Sequence, residues 1–255
     1  MSTTVTYKGQ TLTTVENQTK TLNTAGTWVE GDFTLTDVTA SGGGDEMYKL
    51  IAGTIADSEI DWSKVTNIKE GAFWSCGNIT KVGNPAVSNV RSDAFHYCYN
   101  MTEAELTLTS QGINYFHSVF SECNKLETAT LHFTAKTQWD TEFGGNAPFY
   151  RCPKLHTVIL TCVNASYPAK SLKLRYTLFR ETALLRNLVL KCDNMVIEDM
   201  TVNANSFGGI YNNPTESTIW VPSALVSVYQ NATNWSTLYN MGVTFAPIEG
   251  SIYDD

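Results

Sequence analysis

Four histidines, six cysteines and carboxylates such as Asp140 and Glu142 are among the groups in this chain with the means to do chemistry. His96, His117, His132 and His156 form no ligand-spaced pair, so each is expected to be a satisfied or exposed imidazole. Cys76, Cys98, Cys123, Cys152, Cys162 and Cys192 include no Cys-x-x-Cys, the spacing that would point to zinc. Asp140 and Glu142 share one segment, and paired carboxylates could serve glycoside hydrolysis. There is no nucleophile elbow, no P-loop and no dinucleotide fingerprint. The expectation is a protein that is not an enzyme and needs no cofactor or metal. A glycan-processing enzyme stays as an alternative through Asp140 and Glu142.

Composition narrows the partners. Against 17 Lys and Arg stand 25 Asp and Glu, a net charge of −8, which disfavours a nucleic-acid backbone. No apolar run approaches the ~20 residues of a membrane span. The start MSTTVTYKGQ has neither a basic nor an apolar signal region, so no signal peptide is expected there.

The cysteines are placed by a repeat. Segments AFWSC, AFHYC, VFSEC, PFYRC and LFRET carry Phe73, Phe95, Phe120, Phe149 and Phe179, separated by 22, 25, 29 and 30 residues. Such periods indicate units that bury an apolar face only by stacking on neighbours. Three residues after each Phe stand Cys76, Cys98, Cys123, Cys152 and then Thr182. Six after it stand Ile79, Met101, Leu126, Leu155 and Leu185. From nine to thirteen, alternate residues are apolar, as in Ala129, Leu131 and Phe133. Steps of three fit a short helical turn, and steps of two fit a strand. In the first unit, Asn84 and Pro85 are expected to break the strand. Gly71, Asp93, Ser118, Ala147 and Thr177, two residues before each Phe, are mostly cap-forming types. All six cysteines then fall at inward positions, where small, weakly polar groups suit a narrow core as free thiols.

The AFxxC pattern followed by an apolar strand resembles the BspA-like leucine-rich repeats of bacterial surface proteins. ADSEIDWSKVTNIKEGAFWSC, from Ala56, looks like an entry unit of that family. TIWVPSALVSVYQNATNWSTL, from Thr218, resembles its closing stretch. The resemblance spans roughly residues 48–245, with an irregular sixth unit around Phe207. It implies an α/β repeat solenoid of short strands plus short helical turns, preceded by a small all-β N-terminal module.

The remaining segments are read around that array. Residues 1–40, with VTYKGQTLTTV and GDFTLTDV, alternate like three or four strands and form the N-terminal β module. It is similar to short modules on structural proteins of phages and prophages of Gram-positive bacteria. Residues 41–47, with Ser41-Gly42-Gly43-Gly44, read as a flexible linker. Residues 48–222 form the solenoid and 223–255 its cap and tail, with Ser223–Leu238 as one amphipathic helix and SIYDD as a frayed acidic end. Inserts after Phe133 and Cys162 should sit together on one flank. Their Trp139, Tyr167 and Tyr176 are candidate contacts to a glycan or protein, or else covers of the array's edge.

The function expected from these readings is a phage virion structural protein. Its residues 1–40 would attach to other virion proteins, and its solenoid would meet a host surface protein or glycan, with homo-oligomeric display adding avidity. The alternative is a bacterial cell-surface adhesin.

Overall fold

In the computed structural model the described residues are 2–7, 10–15, 60, 62–65, 67–68, 70–87, 89–108, 116–134, 142–143, 147–163, 173–174, 177–192 and 202–255. The linker expected at 41–47 and the strand expected in GDFTLTDV lie outside them. Of the N-terminal module, β1 (Ser2–Tyr7) and β2 (Gln10–Val15) are antiparallel, with Tyr7 opposite Gln10 and Ser2 opposite Val15.

A 3-10 turn at Trp62–Lys64 leads into the array. Its strands are β3 (Asn67–Ile68), β4 (Lys81–Val87), β5 (Asn89–Val90), β6 (Glu103–Leu108), β7 (Thr128–Thr134), β8 (Glu142–Phe143), β9 (Thr157–Val163), β10 (Lys173–Leu174) and β11 (Asn187–Cys192). Then come α1 (Ala204–Phe207), α2 (Gly209–Asn212), β12 (Thr218–Val221), α3 (Val226–Asn231), α4 (Trp235–Asn240) and β13 (Thr244–Pro247). Strands β4, β6, β7, β9, β11, β12 and β13 form one parallel sheet in that order, each beside the strand of the next unit. The register is that of the repeat: Leu106 faces Leu131, which faces Leu160, which faces Leu190. Cys162 lies opposite both Phe133 and Cys192. Short strands pair one layer earlier in the units, β3 with β5 and β8 with β10. The β8–β10 pair joins Glu142–Phe143 of one insert to Lys173–Leu174 of the other.

Behind the sheet the phenylalanines stack. Ring centroids of Phe73, Phe95, Phe120, Phe149 and Phe179 follow one another at 5.0, 5.4, 5.6 and 5.9 Å, all fully buried. Burial of each ring contributes about 1.5–3 kcal/mol. Cys76, Cys98, Cys123 and Cys152 are buried free thiols. Each later thiol donates to the Phe carbonyl one rung back: Cys98 to Phe73 at 3.1 Å, Cys123 to Phe95 at 3.1 Å, Cys152 to Phe120 at 3.0 Å. Thr182 departs because its hydroxyl bonds Phe179 O of its own rung, at 2.7 Å. Gly208 seats on it at φ 50°, and a Cβ there would collide with Thr182 Oγ1 and Phe179 O.

Several expectations are corrected. The residues two before each of the first four Phe are not extended caps: Gly71, Asp93, Ser118 and Ala147 have φ of 58°, 58°, 51° and 46°. Ser75, Tyr97, Glu122, Arg151 and Glu181, two after it, share the left-handed region. The segments between are successive i→i+3 turns, the hydrogen-bond pattern of a 3-10 turn, such as Cys76 N to Phe73 O at 3.0 Å. Their outward N–H groups donate to the next rung, with Phe73 to Ala94 at 2.7 Å and Tyr97 to Ser121 at 3.0 Å. That ladder satisfies the buried backbone and holds non-glycine residues at positive φ.

Pro85 does not break its strand either. β4 is continuous, with a register shift between Gly83 and Ala86 that brings Val87 opposite Leu108. β4 is the sheet's edge strand, where a bulge can hold a residue lacking N–H. Residues 223–238 are not one helix. A 3-10 turn at Ser223–Leu225 runs into α3, and Asn234 at φ 69° separates α3 from α4. Tyr229, Trp235 and Leu238 are buried, and Trp235 meets Phe207 edge-on at 5.8 Å. Strand β13 adds beside β12, with Phe245 next to Ile219. The SIYDD end is packed as well: Tyr253 contacts Trp220 at 5.3 Å, and Lys191 Nζ donates to Asp255 O at 2.7 Å.

Candidate functional site

The array presents two surfaces with side chains placed by the repeat. On the outer face of the sheet, alternation turns Glu103, Glu105, Thr130, His132, Thr161 and Asn187 away from the core. Lys81 Nζ lies 2.6 Å from Glu103 Oε2, and this hydrogen bond raises the Lys81 pKa. His132 Nε2 lies 2.8 Å from Glu105 Oε1, and its Nδ1 lies 2.8 Å from Thr161 Oγ1. An ionised carboxylate only accepts, so Nε2 carries the proton, and Thr161 donates to Nδ1 while the ring is neutral. Trp220 Nε1 donates to Asn187 Oδ1 at 3.0 Å, and the Tyr253 tail crosses this end of the face.

Hydroxyl, imidazole and carboxylate in a row are the parts of an acyl-transfer relay. Thr161 is nevertheless buried, and it lies in the run of β9 paired on both sides, with β7 and β11. Strand amides committed to a ladder leave no oxyanion donors there. The physical role of this row is to tie three rungs together.

The turn edge differs. Trp74, Tyr97 and Tyr99 are exposed by 39%, 40% and 49%, on two adjacent rungs. His96 is stacked between Trp74 and Tyr97, 4.4 Å from each, and its Nδ1 lies 2.7 Å from Asp93 Oδ1. Tyr99 lies over Gly77, where a Cβ would fall 2.2 Å from its hydroxyl. Asn100 Nδ2 donates to Gly77 O at 2.8 Å, and Lys125 Nζ donates to Asn100 Oδ1 at 2.8 Å. Further along, the Tyr150 ring carries Arg151 and Arg180 at 4.9 and 5.1 Å. Arg151 also bonds Glu181 and Glu122, at 3.0 and 3.2 Å, which raises its pKa.

Of the residues expected to form a site, Trp139, Tyr167, Tyr176 and Asp140 lie outside the described residues. Glu142 begins β8. His96 and His132 are hydrogen-bonded, His156 Nδ1 lies 2.9 Å from Thr157 Oγ1, and His117 Nδ1 is a buried atom without a hydrogen-bond partner among the described residues. Sequence reasoning passed over Trp74, Tyr97 and Tyr99. Their signal was their place one, two and four residues after a repeat Phe, between the inward positions. Among the described residues no group of His, Cys, Asp and Glu is placed to hold a metal ion, and no helix is long and apolar enough to cross a membrane.

In-register parallel strands, one per unit, stacked phenylalanines and laddered turns define a leucine-rich-repeat type of solenoid. Residues 54–167 match the BspA type leucine-rich repeat region in six copies, so the chain carries repeats of that kind. The rungs of Phe179 and Phe207 continue the same sheet beyond the matched stretch. No curated protein matches the chain, and no solved structure does.

Proposed function

We propose that this protein works by recognition rather than catalysis, as a rigid repeat array displayed toward a host surface. BspA-type repeats support a surface or protein-interaction role. The observation that carries the reading is the turn edge, where a laddered backbone holds exposed aromatic rings in fixed positions. Preorganised rings lose little freedom on binding.

The proposed setting is a phage particle, with residues 1–40 as the attachment module and several copies supplying avidity. The Thr- and Val-rich start and the Ser41–Gly44 joint support this reading. A bacterial-surface adhesin would use the same array in the same way. Beads coated with the full chain are expected to bind host cells, and mass spectrometry of purified particles is expected to find the polypeptide. Particles without it favour the adhesin, and beads that bind no cells contradict recognition altogether.

A further inference from the structure

The exposed rings at the start of the turn edge form a built surface. Single exposed apolar residues need no explanation, but Trp74, Tyr97 and Tyr99 are neighbours. Gly77 leaves room for the Tyr99 ring, although glycine costs backbone entropy. His96 stacks on both Trp74 and Tyr97, whose own rings lie 6.0 Å apart and tilted by 54°, and it is itself held by Asp93. Trp74 on one rung and Tyr97 and Tyr99 on the next thus remain exposed side by side in this cluster. Rungs are spaced ~4.8 Å apart on the sheet, close to the length of one sugar residue in a chain. Half-buried Asp93 and Asn100 flank the rings as hydrogen-bonding groups.

From this arrangement we propose that Trp74, Tyr97 and Tyr99 form a stacking platform for a neutral pyranose glycan, with Asp93 and Asn100 reading its hydroxyls. This rests on the recognition reading above and names its ligand class. Sugar rings present an apolar C–H face that packs on aromatic rings, while their hydroxyls need amide and carboxylate partners. The net charge of −8 and the carboxylate of Asp93 disfavour polyanionic glycans. Three rings on two rungs are a small footprint beside the ~800 Å² per partner of a stable protein interface, which favours a sugar over a folded partner.

The test uses the full chain on an array of neutral hexose and N-acetylhexosamine oligosaccharides, with sulfated and uronic-acid ones beside them. Binding to a neutral member is expected, and Trp74→Ala or Tyr97→Ala should each weaken it about five- to tenfold. Gly77→Ala should displace Tyr99 and weaken binding without lowering the melting temperature, which separates the platform from stability. Tyr239→Ala, at an exposed ring in the cap, should leave binding unchanged. Binding only to anionic members, no neutral binding, or neutral binding indifferent to Trp74 and Tyr97 overturns the proposal. Bead adhesion to cells that survives the Trp74/Tyr97 double variant overturns the platform alone. Wild-type beads that never adhere overturn the recognition reading itself.

Discussion

On the outer sheet face His132 spends both ring nitrogens on its neighbours Glu105 and Thr161, and Lys81 closes on Glu103. On the turn edge, Trp74, Tyr97 and Tyr99 keep ring area in water while the backbone beneath them is fully laddered. Both surfaces belong to the same rungs. The difference lies in where cross-rung bonding is done. In the sheet, side chains add to the ladder and consume their own polarity. In the turns, backbone hydrogen bonds run from rung to rung, with side-chain bonds such as Asn100 to Gly77 O and Arg151 to Glu122 and Glu181 beside them, and Trp74, Tyr97 and Tyr99 stay exposed for contact.

That comparison breaks first if core and edge prove equally important to stability. Phe120→Ala should cost about 3–5 kcal/mol and melt several rungs together, because no unit has a core of its own. Trp74→Ala should stay within about 0.5 kcal/mol of the parent. Denaturant melts compare the two, and an edge variant as damaging as Phe120→Ala contradicts the division. Alkali should act on the core through its buried thiols. Burial pushes the Cys123 thiol well up and Cys152 to about 12, from an ordinary 9.0. The unfolded chain then loses those protons first, so stability holds below pH 9 and falls as pH rises toward 12. A melting temperature flat across that window argues against buried thiols. His132→Ala should cost about 1–3 kcal/mol, since it takes a partner from Glu105 and from the buried Thr161 hydroxyl. His96→Ala, which removes no cross-rung hydrogen bond, should cost less, and the reverse order would blur the two surfaces. Gly77→Ala should raise stability by about 0.5 kcal/mol. A loss instead would mean that Tyr99 cannot yield.

Much of the array was legible because its inward columns repeat residue type. Phe, Cys and Leu recur at fixed steps, and apolar residues alternate through the strands. The left-handed turn positions were hidden, because Asp93, Ser118, Tyr97 and Arg151 are not the glycines that such φ values ordinarily favour. Long-range hydrogen bonds impose that conformation, and local sequence does not record them. The bulge at Pro85 was hidden for a related reason, since a proline reads as a break unless its strand is known to lie at an edge. Strand β13 escaped because four residues, Thr244–Pro247, carry too little alternation to stand out. The turn-edge aromatics were visible but unread, because the large inserts drew attention to Trp139, Tyr167 and Tyr176.

Cys76, Cys98, Cys123 and Cys152 sit on four successive rungs and can report on the array directly. Pulsed alkylation across a denaturant series, read by mass spectrometry for each cysteine, measures when each rung opens. All four should be protected in the native state and become reactive at one shared midpoint. A thiol among them that reacts natively like an exposed one, or midpoints that separate rung by rung, would contradict a single continuous core.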